Sequence, residues 1–578
     1  MLQLMRYLRP YLFTIIAIII LILMQSLADL YLPTLMSDIV NNGILTGDTG
    51  YIWKMGGFML GVSIIGTIVS VLASLYASKV SSSFGKIVRH DVFDKVESFS
   101  LQEFDKLGTA SLITRTTNDI NQVQQVILMI LRMMVMAPLM CIGGIIMALY
   151  KDVQLSMVLL VVLPVLALAI FIIVRFGMPH FKIMQKKLDR INLVLREGLT
   201  GIRVIRAFNR TSFEAGRFTD ANKDLMNTAV KVNQIMAFMM PVMMLIMNVC
   251  IIAIVWFGSK RIDMGQMMIG DLMAFIQYAM QIMFSLVMMS MMFVMLPRAQ
   301  ASAVRINEVL HTEPSVVDSH EHNRIAANPA MKGTITFRNV SYTYPGAEKP
   351  AVHNISFESK PGEVTAIIGG TGSGKTTLIN LIERFFDCDE GEVMLNGVDV
   401  KRWGLEELRN QMALVPQKNM IYSGTITDNI RYGKEDATEE EVREAAAIAQ
   451  ALPFIERMEH GFDTVLSQGG TNISGGQKQR LSIARALVRK PSLYLFDDSF
   501  SALDYKTDAA LRSALKEHVT DAAMIIVAQR VSTVMHAEQI IVLNEGEIVG
   551  KGTHQELLET SDVYREIVQS QLSEEESA

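Results

Sequence analysis

The sequence predicts a chain of two unlike parts: an all-α membrane domain of six crossings whose helices run on past the bilayer, then an α/β domain. Three observations carry this. Half of the 578 residues are hydrophobic and only 19% are charged, a balance that soluble proteins seldom reach. The apolar residues form long blocks up to about Pro297, while the chain after about His320 is charged and broken by Gly, Pro and Asp. Near residue 369 a strand-like run enters a glycine-rich loop that leads into a helical run.

Six apolar blocks fall at 11–35, 54–78, 126–150, 154–178, 236–258 and 270–297. Each reaches the roughly 20 helical residues that span about 30 Å of hydrocarbon. Arg6 and Arg9 precede the first block in the manner of a secretory signal. That block is too long for one, lacks a small-residue cleavage site and is followed by five more, so it reads as a crossing. Between Arg175 and Lys231 lie twelve Lys and Arg against five acidic residues, whereas the links Lys151–Asp152 and Lys260–Asp263 are short and nearly neutral. Basic excess marks the cytoplasmic side. Segments 79–125 and 179–235 are therefore expected as cytoplasmic helical extensions, with both termini and the C-terminal domain on the same side of a multi-pass cell-membrane protein.

Asp29 and Arg132 stand inside apolar blocks, where a charge is costly without a partner, cavity or interface. Placement near a bilayer edge is the favoured reading, and neither is taken as a site residue. Methionines cluster at 239, 240, 243, 244 and 247 and again at 288, 289, 291, 292 and 295. Such flexible side chains suit a surface for ligands of varied shape, but they occur on all helix faces, as ordinary apolar filler would. Cys141, Cys250 and Cys388 lie far apart without metal-ligand spacing and read as buried thiols. The net charge of −5 argues against a nucleic-acid surface.

In the second part, the run Glu363–Ile368 leads into Gly369, Gly370, Thr371, Gly372, Ser373, Gly374, Lys375 and Thr376, then the helical Thr377–Ile382. This is the phosphate-loop pattern in its required strand, loop and helix context. Loop amides and a helix N-terminus gather phosphate oxygens, Lys375 adds positive charge, and the Thr376 hydroxyl suits Mg²⁺. ATP and Mg²⁺ are the implied cofactors. A second apolar strand, Leu493–Phe496, ends in Asp497 and Asp498, and Asp497 is placed to support Mg²⁺ through its water shell. Between the two motifs stands Ile473-Ser474-Gly475-Gly476-Gln477.

With that string the chain resembles a half-transporter of the ABC exporter family over nearly its whole length. The resemblance implies a transmembrane domain over 1–310, a linker over 311–330, an ATP-binding cassette over 331–572 and a tail over 573–578. It also implies roles. Tyr344 resembles the aromatic residue that stacks on adenine, and Gln417 the glutamine that touches Mg²⁺ and the attacking water. Ser474, Gly475, Gly476 and Gln477 resemble the signature motif, which grips the γ-phosphate of ATP held by the opposing subunit. Ser501 to Asp504, reading SALD, resembles the loop that crosses between the two sites. A second half-transporter subunit is implied, because each site takes its phosphate loop from one chain and its signature from the other. Segments Leu101–Lys106 and Arg206–Phe213 are the expected coupling segments between membrane helices and cassettes.

Three positions depart from the family pattern. The residue after the Walker aspartate is usually glutamate and here is Asp498. The histidine expected in VAQRVST is Gln529, which can donate a hydrogen bond but cannot become cationic. Gln468 replaces a frequent glutamate. The first two fall on the catalytic side of one site and resemble the degenerate-site subunit of heterodimeric bacterial multidrug exporters. The expected function is ATP-driven efflux of hydrophobic small molecules by a heterodimer in which this chain hydrolyses weakly. Export of one defined lipid, peptide or metabolite, or an ATP-gated channel or sensor, are the alternatives.

Overall fold

A computed structural model describes residues 1, 3–318 and 331–575. The expected linker 311–330 lies partly, and the tail 573–578 partly, outside the described residues. Two compact units result: Met1–Glu97 with Thr109–Thr312, and Ser98–Gly108 with Glu313 onward.

The first unit holds six helices long and apolar enough to cross a membrane: Leu4–Ile44, Thr49–Glu97, Thr109–Lys151, Ser156–Thr200, Thr211–Asp263 and Ile269–His311. The fifth has 53 residues, about 80 Å at the usual helical rise, so much of it exceeds the hydrocarbon. Buried residues of the first helix recur at Ile18, Ile22, Ser26 and Leu30, one narrow stripe at i, i+4 spacing. The opposite face carries exposed Ile16, Ile20, Leu23 and Leu27, as a lipid-facing surface does.

The extensions are tied by charge instead. Lys187 meets Asp224 at 2.5 Å between the fourth and fifth helices, over a small apolar contact of Ile191, Val194 and Ala221. Arg115 meets Glu308 at 2.8 Å between the third and sixth, and Arg305 pairs with the buried Asp119. The expected continuation of segments 79–125 and 179–235 as helices is therefore observed. Each is interrupted once, at a short helix: Leu101–Leu107 and Ile202–Ala207. Cys250 and Cys388 are buried, whereas Cys141 is only partly so, packed against the edge of an apolar cluster that includes Met140 and Cys250.

In the second unit the strands are β1 (Ile335–Tyr342), β2 (Val352–Ser359), β3 (Val364–Gly369), β4 (Glu390–Leu395), β5 (Val398–Asp399), β6 (Met412–Val415), β7 (Gly424–Thr425), β8 (Val465–Leu466), β9 (Leu493–Asp497), β10 (Ala523–Val527), β11 (Gln539–Asn544) and β12 (Glu547–Gly552). They form a four-stranded sheet β2-β1-β4-β5, a six-stranded sheet β12-β11-β3-β10-β9-β6 and the pair β7-β8. From β11 to β6 the larger sheet is parallel. Its strands are covered on both faces: Ala366 and Ile368 of β3 enter one core cluster and Ile367 the other. That is why β3 and β9 read as unbroken apolar runs.

The segment Ser98–Gly108 belongs with this unit. Ser100 and Glu103 form a capping box on the helix Leu101–Leu107, and the Glu103 carboxylate also accepts the Ser315 amide at 3.1 Å.

Candidate nucleotide site

Parallel strands place their C-terminal ends on one edge, and loops leaving that edge form the crevice where such sheets bind ligands. Here Val527 of β10 pairs with Ile367 of β3 and with Asp497 of β9, while Val415 of β6 pairs with Phe496. The register brings the loop after Gly369, Gln417, Asp497, Asp498 and Gln529 to the same edge, although 160 positions separate the first from the last.

The loop is shaped by backbone sterics. Gly374 holds φ 97° at the N-cap of the helix Lys375–Ile382, and a β-carbon there would lie 2.6 Å from the Ala351 carbonyl. Only glycine fits. Gly370, Thr371 and Gly372 are exposed, while Ser373 and Lys375 are buried. The Lys375 ammonium donates to the carbonyls of Gly369 at 2.9 Å and Gly370 at 2.6 Å. Burial holds this ammonium below the ordinary lysine range, with Asp497 and Asp498 opposing the shift. Burial likewise raises the Asp497 carboxyl, and the Thr376 hydroxyl, which donates to it at 3.2 Å, opposes that. Thr376 and Asp497 thus present a hydroxyl and a carboxylate together, the hard oxygen donors that Mg²⁺ prefers. The donor set fits Mg²⁺ beside a triphosphate.

Asp498 sits at φ 50°, the left-handed region, fixed by its amide donating to the Val527 carbonyl at 2.9 Å. Its carboxylate accepts from two amides: Gln529 at 3.2 Å and Gln417 at 3.5 Å. Tyr344 is half-buried, with its ring edge-on to Phe386 at 5.5 Å and its hydroxyl 3.2 Å from that of Thr377. The aromatic residue and the loop helix are therefore directly linked.

Ser474 caps the helix Gly475–Leu487 through a reciprocal box with Gln477, which leaves Ser474 and Gly475 exposed at a helix N-terminus. This face is suited to an anion. Two supporting residues escaped the sequence reading. The buried Gln479 accepts the Ala502 amide at 3.2 Å, tying this helix to the SALD loop, and Ser499 donates to the Val415 carbonyl at 2.8 Å, tying β9 to β6. Neither has a local signal, because each partner is remote in sequence. Within the SALD loop, Ser501 donates to the Asp498 carbonyl at 3.0 Å and Asp504 caps the helix Tyr505–His518. Hydrogen bonds from Thr507 hold the Asp504 carboxyl below its ordinary range. Gln468 lies exposed in a short turn.

Comparison with known proteins agrees with this geometry. The family model described as ABC transporter transmembrane region matches residues 15–286, and that described as ABC transporter matches 352–501. The chain is 42% identical to the uncharacterized ABC transporter ATP-binding protein YfiB of Bacillus subtilis, over 99% of this chain and 98% of that one. It is 41% identical to an uncharacterized ABC transporter ATP-binding protein of Mycobacterium tuberculosis, over 98% and 97%. To the ATP-dependent lipid A-core flippase of Vibrio vulnificus it is 30% identical, over 99% and 97%. The fold is similar to that of a bacterial Atm1-family ABC exporter with ATP bound, with a TM-score of 0.80 over 98% of both chains at 23% identity.

Proposed function

This chain belongs to the ABC transporter family as a membrane-spanning, ATP-driven exporter with membrane region and cassette in one polypeptide, and from that premise we propose that it is the weakly hydrolysing subunit of a heterodimer. The observation that carries the proposal is the pairing of Asp498 with Gln529. Glutamine cannot take up or release a proton, and the aspartate carboxylate stands one methylene nearer the backbone than a glutamate would. A displacement near 1 Å costs about 100-fold in rate. The binding side keeps its parts: Gly369 to Thr377 with Tyr344 hold the nucleotide, and Thr376, Gln417 and Asp497 the Mg²⁺, which neutralises phosphate charge when bound.

The exposed Ser474 and Gly475 then serve the ATP of a partner subunit with an intact glutamate and histidine. Exposed Val204, Phe208 and Phe213 around the helix Ile202–Ala207 supply an apolar coupling surface for that partner's cytoplasmic cassette. Hydrophobic small molecules are the proposed cargo, with multidrug efflux the main reading. The flippase relative favours a second one, export of a defined lipid. ATPase assays of the purified chain, alone and with a partner half-transporter, test the proposal. Weak turnover alone and fast turnover together are expected; fast, vanadate-sensitive turnover by the chain alone would overturn it.

A further inference from the structure

Asp29 lies on the first membrane helix, Leu4–Ile44, eight residues and so about 12 Å of helix inward of Ser37. Ser37 belongs to a polar cluster with Lys151 and Asp271 that marks one end of the bundle. Arg132 is different. It is exposed and stands 19 residues before Lys151, about 28 Å along its helix and hence near the far edge of the hydrocarbon, where its long side chain reaches water. Aspartate has one methylene and cannot reach so far.

Around Asp29 the structure collects uncharged polar groups. Gln25, one turn earlier, presents its side-chain amide to that carboxylate. From the sixth helix, Gln281 donates its amide to the Asp29 carbonyl at 3.3 Å, and the oxygen of that same amide is buried without a partner. The Ser26 hydroxyl, in a residue 1% exposed, is also buried without one. Among the described residues no Lys, Arg or His pairs with Asp29. A half-buried carboxylate in an apolar helix, beside an unsatisfied amide oxygen and an unsatisfied hydroxyl and with no paired cation among the described residues, is complementary to a ligand that brings positive charge and apolar surface together.

We propose that Asp29, with Gln25, Ser26 and Gln281, forms the recognition site for a lipophilic cation carried by this exporter. This rests on the export reading and narrows its cargo. Asp29 acts as counter-ion, and the apolar helix faces beside it cover the rest of the ligand.

The test is equilibrium binding of tetraphenylphosphonium, and of neutral triphenylphosphine oxide, to the full chain in nanodiscs, alone and with its partner half-transporter. Asp29→Asn is expected to weaken phosphonium binding about tenfold or more while leaving the neutral probe unchanged, and Asp29→Glu to retain it. Equal binding by the asparagine variant, parallel loss of both probes, or absence of phosphonium binding by the wild type would overturn the proposal. So would loss of subunit pairing in Asp29→Asn, which would show that the partner supplies the missing cation. ATP-driven export of a neutral amphiphile without phosphonium binding would remove this inference and leave the exporter reading standing.

Discussion

Gln529 donates its side-chain amide to the Asp498 carboxylate across 3.2 Å, and Gln417 approaches the same oxygen at 3.5 Å. Two glutamines from two strand ends thus converge on the carboxylate that follows a third, and none of the three residues can act as a cationic acid near neutral pH. Restoring the two departures together, Asp498→Glu with Gln529→His, is expected to raise ATP turnover of the purified chain by about tenfold to 100-fold. Steady-state phosphate release measures it, and an unchanged rate would remove the degenerate-site reading.

Lys375 is held over the loop by the carbonyls of Gly369 and Gly370. Lys375→Ala removes the one cation of the loop, and a charge-assisted contact contributes about 1.5–3 kcal/mol. Affinity for a fluorescent ATP analogue should fall roughly tenfold to 100-fold.

Ser474 has a dual position, as helix cap and as an exposed hydroxyl. Ser474→Ala is expected to lower stability by about 1 kcal/mol through the lost cap. It should also depress ATPase of the assembled two-subunit transporter while nucleotide binding by this chain's own loop stays intact. Loss of both in parallel would mean that only the cap matters.

Glu383 is buried at the C-terminal end of the helix Lys375–Ile382, and burial pushes its carboxyl from 4.5 up to about 7, against the pull of Arg409 and Arg489. Between these values the unfolded chain has released a proton that the folded chain retains. Stability therefore falls as pH rises from about 4.5 to about 7 and levels off above. Glu383→Gln should abolish that fall, gaining up to about 3 kcal/mol over the wild type above pH 7 and little at pH 4. Melting temperatures across this range decide it; a gain independent of pH would contradict the assignment.

Lys151 and Asp271 pair at 2.6 Å with side chains only 11% and 21% exposed. Lys151→Met leaves the carboxylate without its cation and should cost about 3–5 kcal/mol, whereas Lys151→Met with Asp271→Leu should cost clearly less. A double-mutant cycle in thermal stability reads the coupling, and additive losses would show that there is none.

The six crossings, the phosphate loop and the signature string were legible in the sequence because each is a local pattern: a length of apolar helix, or glycines at fixed spacing between a strand and a helix. The extensions were legible for the same reason, since charge and helical composition persist past each apolar block. Strand order is not local. Only the tertiary structure set β9 between β10 and β6, and so brought Gln529 onto Asp498 and Ser499 onto Val415, because parallel pairing joins segments by register and not by proximity in the chain. It also assigned Ser98–Gly108 to the C-terminal unit through Glu103 and Ser315, a grouping that composition could not reveal. Motif order named the parts of the ATP engine; packing decided that the residue after the Walker aspartate is held by two glutamines.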